Sequence, residues 1–171
     1  MIRRNLDEYI ERHYAGIINK IDKIPWWGVF IMGLLWRLIV NVVVRSCFHD
    51  DLYDISTEYD SILLLIIRAV FVAPIIETLI YQYGIIEISF AVNNSNKLAD
   101  VVKSALISAT VFGAGHFYSF EYMLIAFFMG LFLAFVYLHY RRLYKTKSAG
   151  FWMTVSFHAL SNSISAIMQF C

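Results

Sequence analysis

The sequence predicts an all-α polytopic membrane protein, with about five transmembrane helices and an N-terminal amphipathic surface helix. Three observations predict it. Hydrophobic residues make up 60% of the 171 residues, with a mean hydropathy of +0.62, against ~45–50% apolar residues in soluble domains. The excess is gathered into runs near the ~20 residues that cross a bilayer. Basic residues fall in alternate connections between those runs. The net charge of +1 offers no field for a nucleic-acid partner. Cys47 and Cys171 are too few and too far apart for a disulfide framework or a zinc motif.

Residues 1–25 form the first element. Leu6, Tyr9, Ile10, Tyr14, Ile17, Ile18 and Ile21 make the apolar stripe of one helix face, and the charged residues fall mainly off it. Such a helix lies on a membrane surface. Pro25-Trp26-Trp27 marks entry into the bilayer, because Trp prefers the interface. The five expected spans are about 26–44, 61–90, 100–118, 121–140 and 149–170. The second is long for one crossing and contains Pro74, which predicts a kink, a tilt or a surface extension. An acidic outer loop with Asp50, Asp51, Asp54, Glu58 and Asp60 closes the 26–60 segment, and residues 61–171 form the motif-bearing core. Basic residues crowd the N-terminal segment, the second connection (Lys97, Lys103) and the fourth (Arg141, Arg142, Lys145, Lys147). That alternation places the N-terminus in the cytoplasm and the C-terminus outside.

The polar residues inside these spans carry the functional information, because a charged group at mid-membrane costs at least ~2.5 kcal/mol. They are Arg37, Arg68, Glu77, Gln82, Glu87, His116, His139, His158 and Asn162. Phe112 and His116 are four apart, as are His158 and Asn162, so each pair shares a helix face. A Glu, a His and a His/Asn pair on three helices can build a hydrolytic site. A carboxylate in a dry pocket holds its proton more tightly than in water and becomes a competent general base near neutral pH. An imidazole can share the water's hydrogen bonds or protonate a leaving amine. A second His and an Asn amide suit a developing oxyanion. Gly113, Ala114 and Gly115 let helices approach closely.

Other readings of the same residues exist. An intramembrane His or Asn also serves as interhelical glue. Glu77 could pair with Arg68 or relay protons in a small transporter. Arg37, Arg68 and Glu87 read as structural pairs or interface residues. His139 adjoins Arg141 and Arg142 and reads as a surface residue. The stretch HDDLYD at residues 49–54 reads as a solvated loop that could also attract a divalent cation.

The ordered set Pro74-x-x-Glu77-x-x-x-Tyr81-Gln82, Phe112-x-x-x-His116 and His158-x-x-x-Asn162 resembles the CAAX protease and bacteriocin-processing family of intramembrane endopeptidases. The resemblance covers roughly residues 61–170. It implies that Glu77 activates a water, that His116 is its partner, and that His158 and Asn162 stabilise the oxyanion, with Thr78, Tyr81, Gln82 and Phe112 in support. It implies no resident cofactor, a divalent metal remaining open. The partners implied are membrane lipid and a peptide or membrane-protein substrate. The bacterial cytoplasmic membrane is the expected location. A non-proteolytic immunity or scaffolding relative is the alternative. The family pattern has a second Glu and an Arg where this chain has Thr78 and Gln82. Both charges are replaced together, and the pair is expected to be a neutral, hydrogen-bonded one.

One geometrical condition attaches to this reading. If the second span starts at Ser61, Glu77 lies ~24 Å below the outer end at 1.5 Å per residue, while His116 lies near the outer end of its own helix. The two meet only if the membrane portion starts later, or if Pro74 or the glycines near His116 bend the path.

Overall fold

The computed structural model describes residues 15–17, 19–48, 62–93 and 98–170, and every regular element among them is helical. The chain separates into two compact units, Met1–Met32 and Gly33–Cys171. In the first, residues 15–17 and 19–21 are helical and residues 22–25 leave the helix in a turn, which ends the expected surface helix short of residue 25; residues 1–14 and 18, and the acidic loop, lie outside the described residues.

Helix α1 is Trp26–Cys47, 22 residues with a mean hydropathy of 2.0. Leu35, Leu38, Ile39, Val42 and Val43 on it are exposed, as lipid-facing residues must be in the absence of water. Its other side carries Trp36, whose indole N–H donates to the Phe128 carbonyl at 2.8 Å.

Helix α2 runs through residues 62–93 with two wide i→i+5 segments, Ile67–Val72 and Thr78–Ile85, around the α-helical stretch Ala73–Glu77. Pro74 has no N–H and its ring crowds the carbonyl four residues back, at Val70, so the turn ahead of it widens. The widened carbonyls find donors on neighbouring helices. Asn162 Nδ2 donates to the Ala69 carbonyl at 2.8 Å and Ser108 Oγ to the Tyr81 carbonyl at 2.9 Å. The irregularity beside Pro74 thus takes the form of a widened turn, and it recurs directly after Glu77.

Helix α3 is Leu98–Ala114, α4 is Phe120–Leu143 and α5 is Lys147–Phe170. Ser119 caps α4, its hydroxyl accepting from the Tyr122 N–H at 3.1 Å. The central helix is α4, packed against both α3 and α5. Its buried residues include Ala126, Gly130, Leu133, Ala134, Tyr137 and Tyr140. Small residues set the spacing, as expected from the glycines: a Cβ at Gly113 would meet Phe127 Cβ at 2.9 Å, and one at Gly130 would meet the Ala109 backbone at 3.1 Å. His139, read as a surface residue, is buried and stacked 5.8 Å from Phe135. The basic neighbours that suggested exposure point elsewhere, because consecutive helical residues diverge around the axis.

Arg141 and Lys147 both meet Glu87, at 2.5 and 2.7 Å, and the Tyr137 hydroxyl donates to the same carboxylate at 2.9 Å. Glu87 is thus the structural pair that the sequence suggested, and it ties α2 to the α4–α5 connection. Lys145 turns that connection in the left-handed region, at φ 53°.

Among the described residues, three helices are long and apolar enough to cross a membrane: Trp26–Cys47, Ile67–Val92 and Phe120–Leu143. Helices also occupy the other two expected spans, but α3 has only 17 residues and α5 carries a line of Ser, His and Asn that lowers its hydropathy. The expected span at 100–118 ends early, at Ala114, and the chain then turns through residues 115–119.

Candidate active site

Glu77 closes the α-helical stretch of α2 and opens the wide segment Thr78–Ile85. His116 stands in the turn just beyond α3, not on the helix. With α2 widened on both sides of Ala73–Glu77, the two residues meet. Glu77 Oε2 lies 3.7 Å from His116 Nε2 and 3.5 Å from His158 Nε2. Two helices, α2 and α5, and the turn after α3 thus bring one carboxylate oxygen and two imidazole nitrogens together. These separations exceed a direct hydrogen bond and lie within reach of a bridging water. The Glu77 side chain keeps 25% of its surface exposed and His158 only 6%, so the carboxylate is reachable while one histidine is enclosed.

The tautomer of His116 follows from its partner. Its Nδ1 lies 2.7 Å from the Phe112 carbonyl. A carbonyl only accepts, so Nδ1 carries the proton and the neutral ring presents a lone pair at Nε2. That lone pair faces the carboxylate oxygen of Glu77. Two acceptors in this position are compatible only with a proton or a water between them. The carbonyl that fixes the ring belongs to the last turn of α3, where helical partners run out.

Phe112 is buried and serves both histidines. Its ring centroid lies 4.5 Å from that of His116 and 5.7 Å from that of His158. Tyr81 meets it edge-on at 5.3 Å. Gly115 leaves room for the Tyr81 hydroxyl, which would lie 2.6 Å from a Cβ there. Asn162 sits one turn from His158 with its amide donating to Ala69 of α2, not to Glu77 or either histidine. Thr78 and Gln82 are fully buried, yet Thr78 Oγ1 and both Gln82 amide atoms have no hydrogen-bond partner among the described residues. The hydrogen-bonded pair expected from their spacing is not formed.

Two neighbours escaped the sequence reading. Tyr122 packs its ring 5.7 Å from that of His116, and Ser108 holds α2 through Tyr81. Neither belongs to a spaced motif. Tyr122 follows the Ser119 cap, which is the one local signal that the chain turns back over His116 there. Among the described residues no group of three or more His, Cys, Asp or Glu is arranged as a metal-binding cluster.

A helical fold that gathers a Glu and two His, with Asn162 one turn from His158, is of the class to which the motifs pointed. Residues 59–164 match the family model of the type II CAAX prenyl endopeptidase Rce1-like proteins, and the chain belongs to that family of CAAX intramembrane proteases. The matched region contains Glu77, His116, His158 and Asn162. No curated protein and no solved structure matches the chain. The chain is an integral membrane protein.

Proposed function

We propose that this chain is an intramembrane endopeptidase that hydrolyses a peptide bond of a membrane-associated protein or peptide, with a water activated by Glu77. The observation that carries the reading is the convergence of Glu77 Oε2 on the Nε2 atoms of His116 and His158 at 3.7 and 3.5 Å. A water held there donates one hydrogen to the Glu77 carboxylate and the other to the His116 lone pair, leaving its own lone pair for the scissile carbonyl carbon. Glu77 takes the proton as the C–O bond forms. His158 Nε2–H, and the second amide hydrogen of Asn162, face the oxyanion. As the C–N bond breaks, Glu77 passes its proton to the amine nitrogen, and an amine and a carboxylic acid leave, the acid then losing its proton to solvent. No resident metal enters this scheme, and activity that survives a chelator such as EDTA is its expected sign. The N-terminus is assigned to the cytoplasm.

A second reading has one observation in its favour. Thr78 and Gln82 replace the Glu and Arg of the family pattern and are buried without side-chain hydrogen-bond partners among the described residues, as suits a non-proteolytic immunity or scaffolding relative. Glu77→Gln separates the two. It keeps shape and hydrogen-bonding capacity but accepts no proton. Processing of a co-expressed substrate should fall at the high end of the ~10²–10⁴-fold typical of a general base, at unchanged protein level and partner retention. A biological effect that persists in Glu77→Gln at normal protein levels refutes the proteolytic reading in favour of the scaffold.

A further inference from the structure

We propose that Arg37 is a specificity-determining residue that binds the terminal carboxylate of the peptide substrate, about three residues beyond the bond cleaved. The inference rests on the endopeptidase reading above. Arg37 stands midway along α1, where a guanidinium without an anionic partner is costly. It lies outside the region matched to the family. Among the described residues its guanidinium bonds go to neutral oxygens: the Ser161 carbonyl, Ser161 Oγ at 3.0 Å and Ser165 Oγ. Among the described residues no carboxylate pairs with it.

The position of those serines is what points to substrate. Residues 158, 161, 162 and 165 follow the i, i+3, i+4, i+7 spacing of one helix face. Arg37 therefore lies along the same wall of α5 as His158 and Asn162. Tyr122, which packs on His116, is within electrostatic range of the guanidinium. From His158 to Ser161 and Ser165 is ~4.5 to ~10 Å along the helix at 1.5 Å per residue. An extended peptide advances ~3.3 Å per residue, so the three residues that follow the cysteine of a CAAX end cover ~10 Å. Phosphate on a lipid is the other small oxyanion available. It would have to leave the interface by ~15 Å to reach mid-helix, which favours the peptide carboxylate.

The test uses the full chain in nanodiscs of zwitterionic lipid. The probe is a peptide whose farnesylated cysteine is followed by Val-Ile-Met, made as the free carboxylate or the carboxamide. Binding is measured on the Glu77→Gln background, where no cleavage intervenes, and kcat/KM on the native chain. The carboxylate should bind ~10-fold or more tightly than the carboxamide, the worth of one charge-assisted contact. Arg37→Gln, which keeps an amide donor for the serines, should bring the ratio to about one and leave carboxamide binding within ~2-fold. Arg37→Lys should restore part of the preference. A native ratio near one overturns the assignment whether or not the variants fold. So does an equal loss for both peptides in Arg37→Gln, which marks Arg37 as a structural bond between α1 and α5. So does carboxylate-peptide binding abolished by adding phosphatidylglycerol to the disc, which gives the site to lipid. If neither peptide is cut but carboxylate-dependent binding persists, Arg37 keeps its role and the endopeptidase reading falls.

Discussion

Thr78 and Gln82 are the positions where this chain departs from its family, and their surroundings set what a reversal would do. Both are buried without exposed surface. Thr78→Glu or Gln82→Arg alone would bury one unpaired charge, and each should destabilise by ~3–5 kcal/mol. The double variant restores an ion pair at i, i+4 and should recover much of that loss. Thermal unfolding in detergent of the two singles and the double checks this; additive losses would mean that the two side chains do not face each other. Phe112 presents a different case. It holds the rings of both histidines, so Phe112→Ala should cost ~3–5 kcal/mol and also lower kcat, whereas Phe112→Leu should retain more stability than activity. Stability and turnover measured on both variants check it, and equal loss of the two properties in Phe112→Leu would contradict a positioning role.

At the scale of elements, the close approach of α3 and α4 rests on Gly113 and Gly130. A Cβ at Gly130 meets Phe112 Cδ1 at 3.0 Å and the Ala109 backbone at 3.1 Å. Backbone does not yield as a side chain does, so Gly130→Ala should destabilise by ~1–3 kcal/mol. Because Phe112 is one of the displaced atoms' owners, the same change should impair the site more than its distance from Glu77 suggests. Much of this was legible in the sequence. Apolar runs, Pro74 and the small residues before His116 foretold the helices, the distortion and the tight spacing. The spacing of His158 and Asn162 foretold that they lie on one helix, whereas Phe112 and His116 share no helix face because His116 stands in the turn beyond α3. It did not foretell that α3 stops at Ala114, that His139 is buried, or that the side chains of Thr78 and Gln82 have no hydrogen-bond partner among the described residues. Periodicity gives direction around an axis. Where a helix ends, or widens by a residue, depends on donors such as Ser108 and Asn162 that arrive from elsewhere in the fold.

For the molecule as a whole, the basic connection at Arg141–Lys147 should lie in the cytoplasm together with the N-terminus. Single-cysteine variants at Lys145 and Lys20, in a background without Cys47 and Cys171, should react with a membrane-impermeant maleimide only after the membrane is opened. Labelling of Lys145→Cys in intact cells would reverse the orientation. Glu87 anchors this end through Arg141, Lys147 and Tyr137, and it lies beyond the wide segment Thr78–Ile85 from Glu77. A wide turn is a helix holding one residue more than its hydrogen-bond ladder needs. Removing one residue from within 78–85 would therefore give a more regular helix and a worse protein. Everything after the cut would rotate by ~100° and shift by ~1.5 Å. Glu87 would swing away from its two cations while Glu77 stayed in place. The irregularity works as a phase shifter, letting one helix address two sets of partners that no uniform pitch could reach together.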